Sequence, residues 1–282
     1  EELFKKVEQI YKEYNNLSDR YKSYDKLINI YYLNNELDVN ESIEIDSKLY
    51  DLIEKGIDAY NYTNGKINIA LGNVIDVWKS YRDSNAGIPT IKELENSGSI
   101  NIDDIVLENN AYKKLSDIKL DLGAIAKGYA TEKAGEMLED LGYSNYIINA
   151  GGNVKVGSHY NNSKYSIGLE DPTNDSNIYK VIYANNVSVV TSGGYERFYE
   201  YNGKRYHHII DTNTLFPPSY SLSVSVVSKD SGYSDILSTY LFLMPIEDGI
   251  KYIDSLDNVE AIWYSNDGTL YYSKGFNNYE QE

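Results

Sequence analysis

Asp235 and Thr239 stand four residues apart in Ser-Asp-Ile-Leu-Ser-Thr, residues 234–239, so a helix there puts a carboxylate and a hydroxyl on one face. Such an oxygen pair suits Mg²⁺, with water, a carbonyl and substrate phosphate filling the octahedron. The same residues also fit a helix start, with Ser234 or Asp235 as its N-cap. Leu-Asp-Leu-Gly-Ala-Ile-Ala-Lys-Gly, residues 120–128, sets Asp121, two glycines and Lys127 ahead of a predicted helix. Backbone N–H groups at a helix start attract anions, and a lysine adds a point charge for a phosphate. A packing turn with a solvated Lys127 explains the spacing equally, since it matches neither the P-loop nor the dinucleotide fingerprint. His207-His208-Ile209-Ile210-Asp211 reads as a strand, so at most one of the two His side chains faces any given pocket. A histidine near its ordinary pKa suits a general base, although a lone histidine is more often structural. Ala150-Gly151-Gly152 and Thr191-Ser192-Gly193-Gly194 mark only tight turns by themselves. Together, small turns, an oxygen-type metal pair and a base describe a phosphate-handling site.

Composition narrows the chemistry further. The chain has 282 residues and a net charge of -17, which disfavours nucleic acid and anionic lipid as partners. Cysteine is absent, which removes thiol catalysis, disulfides, zinc ribbons and iron–sulfur clusters. The three His (His159, His207, His208) include no i,i+4 pair, so any metal is a hard ion held mostly by oxygen. No apolar run is long enough to span a bilayer.

The elements that must position these residues follow from periodicity and caps. Apolar residues from Leu3 to Tyr14 recur at helical spacing until Asn15-Asn16 stops them. Ile43 and Ile45 alternate as in a strand, and Asp46 or Ser47 caps a helix carrying Leu49, Leu52, Ile53 and Ile57. A turn at Gly65 leads into an apolar segment from Ile67 to Trp78, and Thr90 with Glu93 forms a capping box. A helix is predicted over about 130–141, with Gly142 at C′, followed by a strand over 146–149. Strands are predicted near 165–169, 180–183, 187–191, 206–210 and 222–227, helices near 234–243 and 246–255, and strands over 259–264 and 270–273. With no repeat, linker or clear boundary, residues 1–282 read as a single α+β domain of mixed sheets and packed helices.

In order along the chain, Thr63 to Gly72 ending at Trp78, Leu120 to Tyr129, Asn149 to Asn153, Thr191 to Tyr195, Tyr206 to Asp211 and Ser234 to Thr239 resemble the FAD:protein FMN transferase (ApbE-like) family. The likeness runs from near Tyr24 almost to the C-terminus and is to the variety found in clostridia and other Gram-positive relatives. It implies an ApbE-like (T-fold-related) α+β architecture with a flavin-binding cleft. It also implies Mg²⁺-dependent transfer of FMN from FAD, its substrate, to a Thr or Ser hydroxyl of an acceptor protein, through a phosphoester and with release of AMP. On the matching positions, the Ala124 carbonyl with Asp235 and Thr239 would hold the metal. Lys66, Ile67, Asn68, Asp121, Lys127 and the main chain at Ile209 would contact FAD, and His208 would be the general base. The alternatives are Mg²⁺-dependent hydrolysis of FAD to FMN and AMP, and a non-catalytic flavin-binding lipoprotein. The resemblance further implies an extracytoplasmic, membrane-anchored lipoprotein, with the anchor segment and the family's first strand upstream of Glu1. Some positions depart from the family pattern: Asn68, where Asp is frequent, Gly194 for Asp, Ser234 for Ala, Thr212 for Pro, and Leu215 in Thr214-Leu215-Phe216-Pro217 for the common Thr-Gly-x-Pro.

Overall fold

The computed structural model describes residues 1–161 and 163–281, with the backbone alone for Asp175; the expected domain 1–282 also takes in Asn162 and Glu282, which lie outside the described residues. In chain order the elements begin with α1 (Glu2–Ser18), α2 (Ile30–Asn35), β1 (Ser42–Glu44), α3 (Ser47–Tyr62), α4 (Gly72–Ser84), α5 (Ile91–Glu95), β2 (Ile105–Glu108) and β3 (Ala111–Lys114). The middle holds α6 (Ala126–Asp140), β4 (Ile147–Asn149), β5 (Asn153–Val156), β6 (Tyr165–Asp171), β7 (Asn174–Ala184), β8 (Val187–Gly193), β9 (Phe198–Tyr201) and β10 (Lys204–His207). The chain closes with β11 (Ser223–Ser228), α7 (Ser231–Phe242), α8 (Ile246–Ile253), β12 (Glu260–Tyr264) and β13 (Leu270–Tyr272). This is the α+β class expected from the sequence. The chain divides into two compact units, Glu1–Ala126 with Arg197–Pro217, and Lys127–Glu196 with Pro218–Glu282.

In the first unit, α3 starts where Asp46 accepts from the Lys48 N–H at 2.8 Å, and it buries Leu49, Leu52, Ile53 and Ala59 along one face. The Thr90–Glu93 capping box is present in full. Helix α1 runs through Asn15-Asn16 to Ser18, past the expected stop. Its apolar face continues to Leu17, 3% exposed, and that burial outweighs the weak helix preference of two Asn residues. Strands β1, β3 and β2 form a small antiparallel sheet, and β9 pairs with β10. Both hairpins turn on residues with positive φ, Asn109-Asn110 and Asn202-Gly203, as tight two-residue turns require. One core cluster gathers around Trp78, which stacks on Tyr206 at 5.7 Å, meets Phe216 edge-on at 5.2 Å and donates its indole N–H to the Leu215 carbonyl at 2.8 Å.

In the second unit, six antiparallel strands lie in the order β13-β12-β11-β8-β5-β4. Every residue of the central strand β11 is buried. Helix α7 packs on β8 and β11, and the β6–β7 hairpin joins Val156, Val189, Val227 and Ile262 in one core. Helix α6 starts at Ala126, earlier than expected, after Ile125, whose side chain has no acceptor to offer. The Gly128 N–H of its first turn instead donates to the Asp235 carboxylate of α7 at 2.7 Å, so a remote side chain satisfies a helix-start donor.

Candidate functional site

Two adjoining segments carry most of the first unit's candidate residues, with His208 and Ile209 on a third. Thr63, at the C-terminus of α3, accepts the Ile67 N–H at 3.1 Å and so folds Lys66-Ile67-Asn68 back over the helix end. The Asp121 N–H donates to Ile69 O at 2.8 Å and the Gly72 N–H to Lys119 O at 2.9 Å, which lays residues 119–121 beside 69–72. The structure thereby brings the Lys66–Asn68 segment and Asp121 onto neighbouring stretches of backbone. Ile67 and Asn68 are buried, whereas Lys66, Asp121, Ala124 and Ile209 are half-buried. The Lys66 ammonium is 2.6 Å from Asp211, whose other oxygen accepts from the Asn213 N–H at 2.7 Å. Asp121 accepts from Arg20 at 3.1 Å and from the Gly123 N–H at 2.9 Å.

His208 lies just beyond the end of β10 rather than on a continuing strand, because pairing with β9 stops at His207 and Phe198. The two histidines nevertheless part: His207 is buried and His208 exposed. The His208 N–H donates to Arg197 O at 3.1 Å, and its Nδ1 lies 3.2 Å from the same oxygen. A carbonyl can only accept, so Nδ1 carries the proton and Nε2 is the ring's acceptor. The ring has solvent access yet is crowded by protein. Desolvation lowers its pKa to about 4, against the opposing pull of the Arg197 carbonyl. The imidazole is therefore neutral at pH 7.

The second unit holds Lys127, Asp235 and Thr239. Asp230 caps α7, accepting from the Tyr233 N–H at 2.8 Å, so neither Ser234 nor Asp235 is the cap. That frees Asp235 for another purpose, one turn before Thr239 on the same helix. Asp235 is 6% exposed, and burial raises its pKa to about 6, opposed by the Lys127 charge and the Gly128 N–H. Thr239 Oγ1 lies 3.1 Å from Ser192 Oγ and 3.2 Å from the Asp235 carbonyl, which orients its hydroxyl. Lys127 donates to Gly151 O at 2.8 Å, in the turn where Gly151 and Gly152 both have positive φ. No three His, Cys, Asp or Glu side chains gather as a metal site among the described residues. A buried carboxylate one helical turn from a hydroxyl fits a hard cation that takes its remaining ligands from water and phosphate, which is how Mg²⁺ is commonly bound.

The sequence profile of the ApbE family matches residues 2–263. The chain belongs to the ApbE family. Among its relatives, the FAD:protein FMN transferase of Haemophilus influenzae is 30% identical over 255 residues, covering 86% of this chain and 73% of that protein. The FAD:protein FMN transferase of Klebsiella pneumoniae is 29% identical over 271 residues, covering 93% and 82%. The ApbE protein of Thermotoga maritima has the same fold, with a TM-score of 0.90 at 24% identity over 99% of this chain and 91% of that one. The flavin transferase ApbE of Vibrio cholerae gives 0.82 at 23% identity, over 98% and 90%.

Several departures from the usual ApbE pattern have local explanations. The Asn68 amide donates to Ile100 O at 2.9 Å while its oxygen accepts from the Ala70 N–H at 2.8 Å, and a carboxylate could not make the first bond. The hydroxyls of Ser234 and Ser228 share a buried hydrogen bond of 2.7 Å, and the Thr212 hydroxyl donates to Lys66 O at 3.1 Å. Nothing in the structure explains Gly194. Arg20, Asp211, Ser192 and the Gly128 N–H are neighbours of candidate residues that sequence reasoning did not single out. Asp211 and Ser192 stand inside motifs already noted and were within reach of it. Arg20 lies 101 residues from Asp121 and carried no local signal.

Proposed function

We propose that this chain transfers FMN from FAD to a Thr or Ser hydroxyl of an acceptor protein. The observation that carries the reading is a buried carboxylate, Asp235, one helical turn before an oriented hydroxyl, Thr239, in an ApbE-family chain. Asp235 and Thr239 would bind Mg²⁺, and the resemblance adds the Ala124 carbonyl. When bound, the ion would polarise the pyrophosphate and offset the charge developing on the departing phosphate of AMP.

The chain's own residues do the rest. Lys127, tied to the Gly151 turn, places a positive charge for a phosphate oxygen. Lys66, Ile67, Asn68, Asp121 and the main chain at Ile209 bind FAD. The neutral His208 accepts the acceptor's hydroxyl proton at Nε2. The hydroxyl oxygen then bonds to the FMN phosphorus, the bond from that phosphorus to the bridging oxygen breaks, and AMP leaves with that oxygen. The resemblance supports an extracytoplasmic location with a lipid anchor upstream of this sequence. Among the described residues, no helix is long and apolar enough to cross a membrane.

Mixed with FAD, Mg²⁺ and a flavin-acceptor domain, the chain is expected to give an acceptor band that fluoresces on a denaturing gel. Absence of the band, with acceptor and metal both verified, would overturn the proposal. Free FMN appearing in its place would make water the acceptor.

A further inference from the structure

Arg20 stands two residues past the end of α1, after Asp19, and its side chain is only 5% exposed. Its guanidinium donates through Nη1 to Asp121 at 3.1 Å, and through Nη2 to Asp76 and to Gly72 O, each at 2.9 Å. Its Nε is buried with no hydrogen-bond partner among the described residues. A buried arginine is strongly disfavoured unless its partners offset the lost hydration, so the contacts it makes point to its role.

The two carboxylates are not equivalent. Asp76 also pairs with Lys119 at 3.0 Å and keeps a cation if Arg20 is removed. Asp121 has no other ion-pair partner among the described residues. The planar fork reaches Asp121 and Gly72 O at once, and so braces the 119–121 segment against the start of α4. A lysine's single ammonium cannot span both. The fixed charge also offsets Asp121 where an anionic pyrophosphate substrate must approach.

We propose that Arg20 is a positioning residue for flavin transfer: it orients and neutralises the Asp121 carboxylate for contact with FAD, without touching the reacting atoms. This rests on Asp121 as an FAD contact. Arg20→Gln is expected to weaken FAD binding, read by flavin fluorescence, about tenfold, as the loss of a charged hydrogen bond does. KM for FAD should rise with it while kcat changes less than about threefold, since the interaction serves bound substrate and transition state alike. Arg20→Lys should recover part of the affinity. In a double-mutant cycle, Arg20→Gln added to Asp121→Asn should cost less than about twofold more.

Unchanged FAD affinity in folded Arg20→Gln beside a weakened Asp121→Asn overturns the role of Arg20 and leaves the FAD reading standing. Unchanged affinity in Asp121→Asn overturns both. Independent, multiplying effects in the cycle overturn the coupling. Should Arg20→Gln fail to fold, Asp76→Asn loosens the same guanidinium from its other side. It is expected to weaken FAD binding by a smaller factor, and an unchanged affinity there also overturns the proposal.

Discussion

His208 and Asp235 show how burial and hydrogen bonding prepare single side chains. With a pKa near 4, His208 is a weaker base than a free imidazole but is unprotonated throughout the neutral range. With His208 as the proposed base, protonation removes the acceptor, so its contribution to activity is expected to be lost as pH falls through about 4. At pH 5.5 an imidazole of ordinary pKa would be about nine-tenths protonated and largely inactive. Saturating Mg²⁺ would keep Asp235 ionised although burial raises its pKa to about 6. Under that condition we expect kcat/KM at pH 5.5 to stay close to its pH 7 value, and a midpoint near 6.5 that does not move with Mg²⁺ concentration would contradict the desolvated ring. The same shift acts on stability. The unfolded chain binds this proton more readily, so His208 contributes to acid destabilisation as pH falls from about 6.5 towards 4. His208→Ala should bind FAD normally and transfer about 10²- to 10⁴-fold more slowly. A wild-type rate would place the base elsewhere. Asp235→Ala should sharply raise the Mg²⁺ concentration required for transfer, and an unchanged metal dependence would move the site.

Elements meet closely around these residues. A Cβ on Gly128 would stand 2.4 Å from the Asp235 Cβ and 2.5 Å from Ser231 O, so α6 and α7 pack at a distance only glycine permits. Gly128→Ala should therefore cost about 1–3 kcal/mol by overpacking and also displace the Asp235 carboxylate. The expected readout is a lowered Tm with a raised Mg²⁺ requirement; a lowered Tm alone would separate packing from the site. Leu215 poses the opposite balance. It has φ 60° where the family commonly has Gly, a conformation costing a non-glycine residue about 1–2 kcal/mol. Its side chain, 7% exposed among Trp78, Tyr206 and Ile210, regains about 1.5–3 kcal/mol by burial. Burial narrowly wins, so Leu215→Gly should destabilise by no more than about 2 kcal/mol in chemical denaturation. A larger loss would mean that the strain is smaller than the backbone angle implies.

At the scale of the whole molecule, charge is the dominant feature. A net charge of -17 favours the expanded chain through self-repulsion, which salt screens. Tm is expected to rise as NaCl increases from 0.05 to about 0.3 M. Millimolar Mg²⁺ added in that higher salt should raise it further, because a ligand that binds the folded state stabilises it. The second increment should vanish in Asp235→Ala, whereas a rise of equal size in both proteins would mean diffuse screening rather than a site.

Much of this was legible along the chain because its causes are local. Caps at Asp46 and Thr90, the Gly142 helix end, the glycine turn at 151–152 and the alternating strands depend on residues within a few positions of one another. The Asn109-Asn110 and Asn202-Gly203 turns were equally local signals for hairpins that the hydrophobic pattern alone did not reveal. The i,i+4 spacing of Asp235 and Thr239 already put both on one helical face. Tertiary structure decided what depends on partners distant in sequence: the cap of α7 at Asp230, the start of α6 set by a carboxylate more than a hundred residues away, and the desolvation of His208. It also decided the bracing of Asp121 by Arg20 across 101 residues. Periodicity and capping are carried by neighbours in the chain, whereas burial, charge pairing and the exclusion of a Cβ exist only once distant segments have met.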